Sequence, residues 1–120
     1  MDAEPVPSPD GSEPLTVASR LGEPSVITVA GDADLDGVVP LRQAVEAALA
    51  HHPHLVLDLT GVGFADSTFL TSLLLARNSA LEQEGSVRLL GVSTQVGRLL
   101  DLTGAAELFP VITEEQLRQS

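Results

Sequence analysis

Cysteine is absent, and so are tryptophan and tyrosine. Without Cys there is no disulfide, no thiolate metal site and no Cys nucleophile. Three Phe are the only large aromatic residues, so the core has to be aliphatic, and platforms on which bases or sugars could stack are missing. Positive charge is scarce: six Arg, with no Lys at all, face 17 acidic residues and leave a formal net charge of −11. A surface so acidic repels phosphate backbones and anionic lipid headgroups. That argues against direct nucleic-acid or membrane binding and favours a partner with a basic patch. No apolar run approaches the roughly 18 residues that a bilayer span requires. The acidic, Pro-rich start lacks the basic and apolar regions of an export signal. A soluble cytoplasmic protein is the expectation.

What is present fits one core. Hydrophobic residues make up 43% of 120 residues, enough for a single domain but not for two. Residues 1–13 hold Pro5, Pro7, Pro9 and Gly11 among acidic residues and Ser, with no apolar period. They read as a flexible acidic tail ahead of a domain at 14–120. Leu15 to Leu21 alternates loosely, Gly22-Glu23-Pro24-Ser25 supplies a turn, and Val26 to Val29 follows as a strand, so an N-terminal hairpin is predicted.

After Gly31-Asp32-Ala33-Asp34, Asp36 is read as the N-cap of a helix carrying Leu41, Val45, Ala48 and Leu49 on one face. Pro53 ends it. Leu55 to Leu59 is apolar on both faces, as in the centre of a parallel sheet. The segment Thr60 to Ala65 reads as a turn. A second helix then carries Leu70, Leu73, Leu74 and Leu81, with Gly85 as its stop. Val87 to Val92 is another strand. Ser93 caps a third helix through Val96, Leu99 and Leu100, which stops near Gly104. Phe109 to Ile112 could add a short last strand, and Glu114 to Arg118 a terminal helical turn. Hairpin first, then strands alternating with helices, predicts an α/β domain. Its mixed sheet has about four to five strands beside about four helices, which can cover one face only.

Chemistry-bearing residues are few. Asp66-Ser67-Thr68 has the residue types that satisfy free N–H groups at a helix start. A hydroxyl there, just after a central strand, also sits at a sheet edge within reach of partners. A phosphate on it would meet exposed N–H groups and the positive end of the helix dipole. The two readings are compatible, because capping by Asp66 would leave Ser67 free. Asp32, Asp34 and Asp36 lack the Gly and terminal Glu of a calcium loop and read as solvated loop residues, with magnesium on one or two of them as the alternative. His51, His52 and His54 straddle Pro53 without a supporting Cys and read as a surface cluster. There is no G-x-S-x-G elbow and no Walker motif, and Gly61-Val62-Gly63 lacks the third Gly of a dinucleotide loop. No metal site, no cofactor and no enzymatic activity are expected.

Three segments in this order resemble the STAS family of anti-sigma-factor antagonists: Val29-Ala30-Gly31-Asp32-Ala33-Asp34, then Leu55-Val56-Leu57-Asp58-Leu59-Thr60-Gly61-Val62-Gly63-Phe64-Ala65-Asp66-Ser67-Thr68, then Leu89-Leu90-Gly91-Val92-Ser93 running on to Leu99-Leu100-Asp101-Leu102-Thr103-Gly104. The resemblance spans about residues 15–118, and the middle segment is its most specific part. It implies a STAS-like single domain and a partner switch. Such proteins bind an anti-sigma factor that is also a serine kinase of the histidine-kinase-like ATPase fold, freeing a sigma factor for transcription. The kinase phosphorylates the hydroxyl after the Asp, which releases the antagonist, and a serine phosphatase resets the cycle.

Carried over by position, the phosphoacceptor is Ser67, and Asp34, Asp66, Thr68 and Phe69 are partner-binding positions. Phe69 departs from the pattern, since the family usually has Gly there. Its ring is either a core residue on the helix stripe or an exposed group at the interface, where it could anchor an unusual partner or obstruct the usual kinase. The alternatives to a phosphorylated antagonist are a non-phosphorylated STAS scaffold and a ligand-sensing or lipid-transport accessory protein of the same fold.

Overall fold

The computed structural model describes residues 15–32 and 35–119, the side chains of residues 35–37 excepted. The acidic segment 1–13 and Asp34 lie outside the described residues. Nine elements follow in order: β1 (Thr16–Arg20), β2 (Ser25–Asp32), α1 (Leu35–His51), β3 (His54–Phe64), α2 (Ser67–Glu82), β4 (Ser86–Val92), α3 (Thr94–Thr103), a 3-10 turn (Ala105–Leu108) and α4 (Glu114–Arg118). They build the expected α/β domain around one four-stranded sheet in the order β1-β2-β3-β4.

β1 and β2 form the expected antiparallel hairpin, whereas β2, β3 and β4 run parallel. The hairpin turn is held by Ser25, wholly buried, whose hydroxyl accepts from Gly22 N–H at 3.1 Å and reaches Gly22 O at 3.3 Å. The parallel pairs need crossovers, and α1 and α2 provide them.

The sheet's two faces differ. Ile27, Val29, Leu55, Leu57, Leu59, Val87 and Leu89 point into one large core with Leu41, Val45, Ala48 and Leu49 of α1, Phe69, Leu73, Ala76 and Ala80 of α2, and Val96 and Leu100 of α3. On the other face the buried cluster among the described residues is small, Val26, Val56 and Ile112, with Leu90 and Leu117 beside them. The three long helices cover one face, and α4 shields part of the other.

Four details depart from the sequence expectations. α1 starts at Leu35, so Asp36 lies inside the helix and not at its cap. β3 runs five residues beyond Leu59, through what reads as a turn: Gly61 pairs with Ala30 and Phe64 with Asp32. Gly61 is needed there, because a Cβ on it would come 2.9 Å from the Ala30 Cβ. The segment 109–112 makes a single parallel bridge, Leu89 with Val111, in place of a strand. Finally, the left-handed residue after α2 is Glu84 (φ 60°), not Gly85. Gly85 serves another purpose: a Cβ on it would lie 1.8 Å from the Pro53 carbonyl oxygen, at the point where Ser86 N–H donates to that oxygen and β4 joins β3.

Candidate functional site

The carboxyl ends of the parallel strands are where an α/β sheet presents its loops and helix starts. β3 ends at Phe64, and two residues later comes the cap of α2. Asp66 is that N-cap, in extended geometry (φ −126°, ψ −171°). Its Oδ1 accepts from Thr68 N–H at 3.0 Å and from Phe69 N–H at 3.2 Å, while its carbonyl accepts the first helical bond from Leu70 N–H at 3.1 Å. One carboxylate thus satisfies two of the donors that a helix start leaves open. The capping expected of Asp66 is what the structure has. Of the donors expected for a phosphate, the N–H groups of Thr68 and Phe69 are already taken by that carboxylate.

Ser67 is the first helical residue, and its side chain is exposed. Its carbonyl accepts from Thr71 Oγ1 at 2.9 Å, and its hydroxyl makes no hydrogen bond among the described residues. Thr68 is half-buried, and its carbonyl accepts from Ser72 Oγ at 3.1 Å. Phe69 is 0% exposed and belongs to the large core. Of its two readings, the structure has the core residue: the ring neither covers Ser67 nor faces a partner. A helix starting with Ser67 outward must turn its third residue inward, and a large apolar side chain at that place anchors the first turn.

Asp32 ends β2, half-buried and paired in register with Phe64. Its carboxylate lies over Gly63, where a Cβ would approach Oδ1 to 2.9 Å. Asp32 and Asp66 therefore flank the end of β3 with two carboxylates. Phe64 itself is 54% exposed. Sequence reasoning passes over it because the segment reads as a turn. The register shows the reason for its position: β3 holds an extra residue between Asp58 and Gly61 and another between Val62 and Phe64 relative to β2. Such bulges bend a strand end and re-aim its side chains.

The histidines do not converge on a common point. His51 is exposed. His52 Nδ1 accepts from His54 N–H at 3.2 Å, and His54 Nδ1 lies 2.8 Å from Ser86 Oγ. Among the described residues no group of three or more His, Asp or Glu could hold a metal ion. Beside the site, a groove of about 630 Å³ runs between α1 and α2 from Thr68 to Gln83, with Leu41, Val45 and Leu49 along its floor. Among the described residues no helix is long and apolar enough to cross a membrane.

The described residues form an α/β module with an acid-capped, hydroxyl-bearing helix start at the carboxyl edge of its sheet. The family model described as "Mlab, STAS domain" matches residues 16–113, and the chain belongs to the STAS domain family. Among solved structures, an anti-sigma factor antagonist from Mycobacterium paratuberculosis is 28% identical with a TM-score of 0.74, over 92% of this chain and 94% of that one. The Bacillus cell-fate determinant SpoIIAA shares the fold in both its states. Its phosphorylated form is 18% identical with a TM-score of 0.70, covering 87% of this chain and 97% of that one. Its unphosphorylated form is 22% identical with a TM-score of 0.68, covering 86% and 91%. No curated protein matches the chain in sequence.

Proposed function

We propose that the protein is an anti-sigma factor antagonist that docks on a serine-kinase anti-sigma factor through the surface around Ser67 and is released when that residue is phosphorylated. One observation carries this reading: an exposed hydroxyl at the first position of α2, with no hydrogen-bond partner among the described residues, beside a capping carboxylate. Asp66 and Thr68 frame the docking surface. The histidine-kinase-like ATPase fold of the partner, a resetting serine phosphatase, a cytoplasmic setting and a role in sigma-factor-dependent transcription all belong to the same proposal. The sequence likeness to the Mycobacterium antagonist over nearly the whole chain supports it.

The switch is electrostatic. Phosphoserine adds about −1.5 to −2 charges near pH 7. Inside the free protein the Thr68 and Phe69 N–H groups are already filled by Asp66 and do not compensate that charge. Repulsion from Asp66 and Asp32 acts in free and bound states alike, so it cannot by itself dissociate a complex. The deciding cost is burial of a dianion in an interface that fits a neutral hydroxyl, where roughly 3 kcal/mol already lowers affinity by about 10². The test is titration of Ser67→Ala and Ser67→Glu against the serine-kinase anti-sigma factors of the same genome, with intact mass measured after incubation with ATP. Native-like binding by Ser67→Ala, loss in Ser67→Glu and a phosphate increment absent from Ser67→Ala are expected. Equal affinities of the two variants would refute it.

A further inference from the structure

Chains with few aromatics bury them first, and this one does so with two of its three Phe. Phe69 and Phe109 are 0% and 1% exposed, whereas Phe64 keeps 54% of its surface in solvent. A singly exposed apolar residue is ordinary on a protein surface, so exposure alone says nothing. Position does. Phe64 is held three residues before Ser67 by a strand end that two extra residues re-aim, and it sits beside Asp32 with Asp66 just beyond. A large apolar ring inside an acidic surround, at the sheet edge that carries the free hydroxyl, is the arrangement of an interface anchor: aromatic centres dominate binding energy, and charged rims choose the partner.

Resting on the reading of the Ser67 surface, we propose that Phe64 is the aromatic anchor of that interface, seated in an apolar socket of the partner whose rim is basic. The occupant is a protein. A net charge of −11 repels nucleic acid and anionic membrane, and the same charge complements a cationic rim. Phe64 takes the place that the sequence leaves open for Phe69, whose ring is spent on the core. The groove between α1 and α2 begins only at Thr68 and lies beside this contact.

Because the chain has no Trp, Phe64→Trp puts a single reporter at the site. The probes are the purified serine-kinase anti-sigma factors of the same genome, taken singly, with the native protein, Phe64→Ala, Phe64→Trp, Ser67→Glu and Leu102→Ala. Leu102 is the control: it is 79% exposed, yet stands at the far end of α3 from the sheet's carboxyl edge. Phe64→Ala is expected to keep the native melting temperature and to bind at least about tenfold more weakly, while Leu102→Ala binds as the native protein does. The indole emission of Phe64→Trp moves to shorter wavelength in the complex, and added salt weakens native binding. If Phe64→Ala binds within twofold of native while Ser67→Glu does not bind, the anchor is wrong and the switch stands. If no probe binds the native protein, both fall.

Discussion

Two strand-to-helix junctions at one edge of the sheet share a plan and differ in how they use it. In each, a cap residue is followed by an exposed hydroxyl and, two residues later, by a fully buried apolar side chain: Asp66, Ser67 and Phe69 at the start of α2; Ser93, Thr94 and Val96 at the start of α3. The dipeptide Ser-Thr occurs at both, shifted by one place. Where Ser is the cap, its hydroxyl accepts from Val96 N–H at 3.2 Å and is committed to the helix. The hydroxyl after the cap is exposed in both, so the junctions differ in the charge of the cap and in what precedes it: at α2 the cap is a carboxylate and an exposed aromatic ring, Phe64, stands before it.

The comparison breaks most visibly in the core. Phe69→Ala should cost about 3–5 kcal/mol of stability, and Val96→Ala about 2 kcal/mol, as befits a smaller buried side chain. Chemical denaturation of the two variants measures the gap, and equal losses would mean that the ring at α2 anchors nothing special. Next comes the charge test. Ser67→Glu should lose about 10² in partner affinity while Thr94→Glu, at the corresponding place on α3, stays within a few-fold; calorimetric titration against one anti-sigma factor compares them directly.

The caps themselves follow. Asp66→Ala opens two N–H groups and should cost about 1–2 kcal/mol, and Ser93→Ala opens one and should cost about 1 kcal/mol, with thermal melts as the readout. The smallest effect lies at the other ends of the same helices. The left-handed residue is Gly104 after α3 (φ 75°) and Glu84 after α2 (φ 60°). Gly104→Ala should therefore destabilise, and Glu84→Gly stabilise, each by about 1 kcal/mol. No atom outside its chain neighbours lies within 4 Å of a Cβ placed on Gly104, so its effect is conformational alone.

The elements with a clear period were legible in the sequence. The stripe through Leu41, Val45, Ala48 and Leu49, the strand Leu55–Leu59 and the Ser93 cap lie where patterning places them. The site was half legible: Asp66 as cap and Ser67 as an outward hydroxyl follow from residue preference at helix starts. The rest depends on long-range facts. Thr60-Gly61-Val62-Gly63-Phe64 has turn composition and becomes strand only because β2 pairs with it, with two extra residues that destroy any alternation. Phe69 was left open because the resemblance puts a small residue at that place beside the proposed interface; the packing of α2 on the sheet decided it, with the ring buried alongside Leu73, Ala76 and Ala80. Glu84 takes the left-handed position because Gly85 is already committed to its close approach to Pro53.

The ring of Phe69 has one more implication. With that side chain seated in the interior, the opening turn of α2 has little freedom to swing out. Adding or removing a phosphate two residues away would change what the surface says without changing its shape. A partner that tells the two states apart would then have to read them by voltage and not by outline, and its discrimination would fade as the medium becomes more conducting.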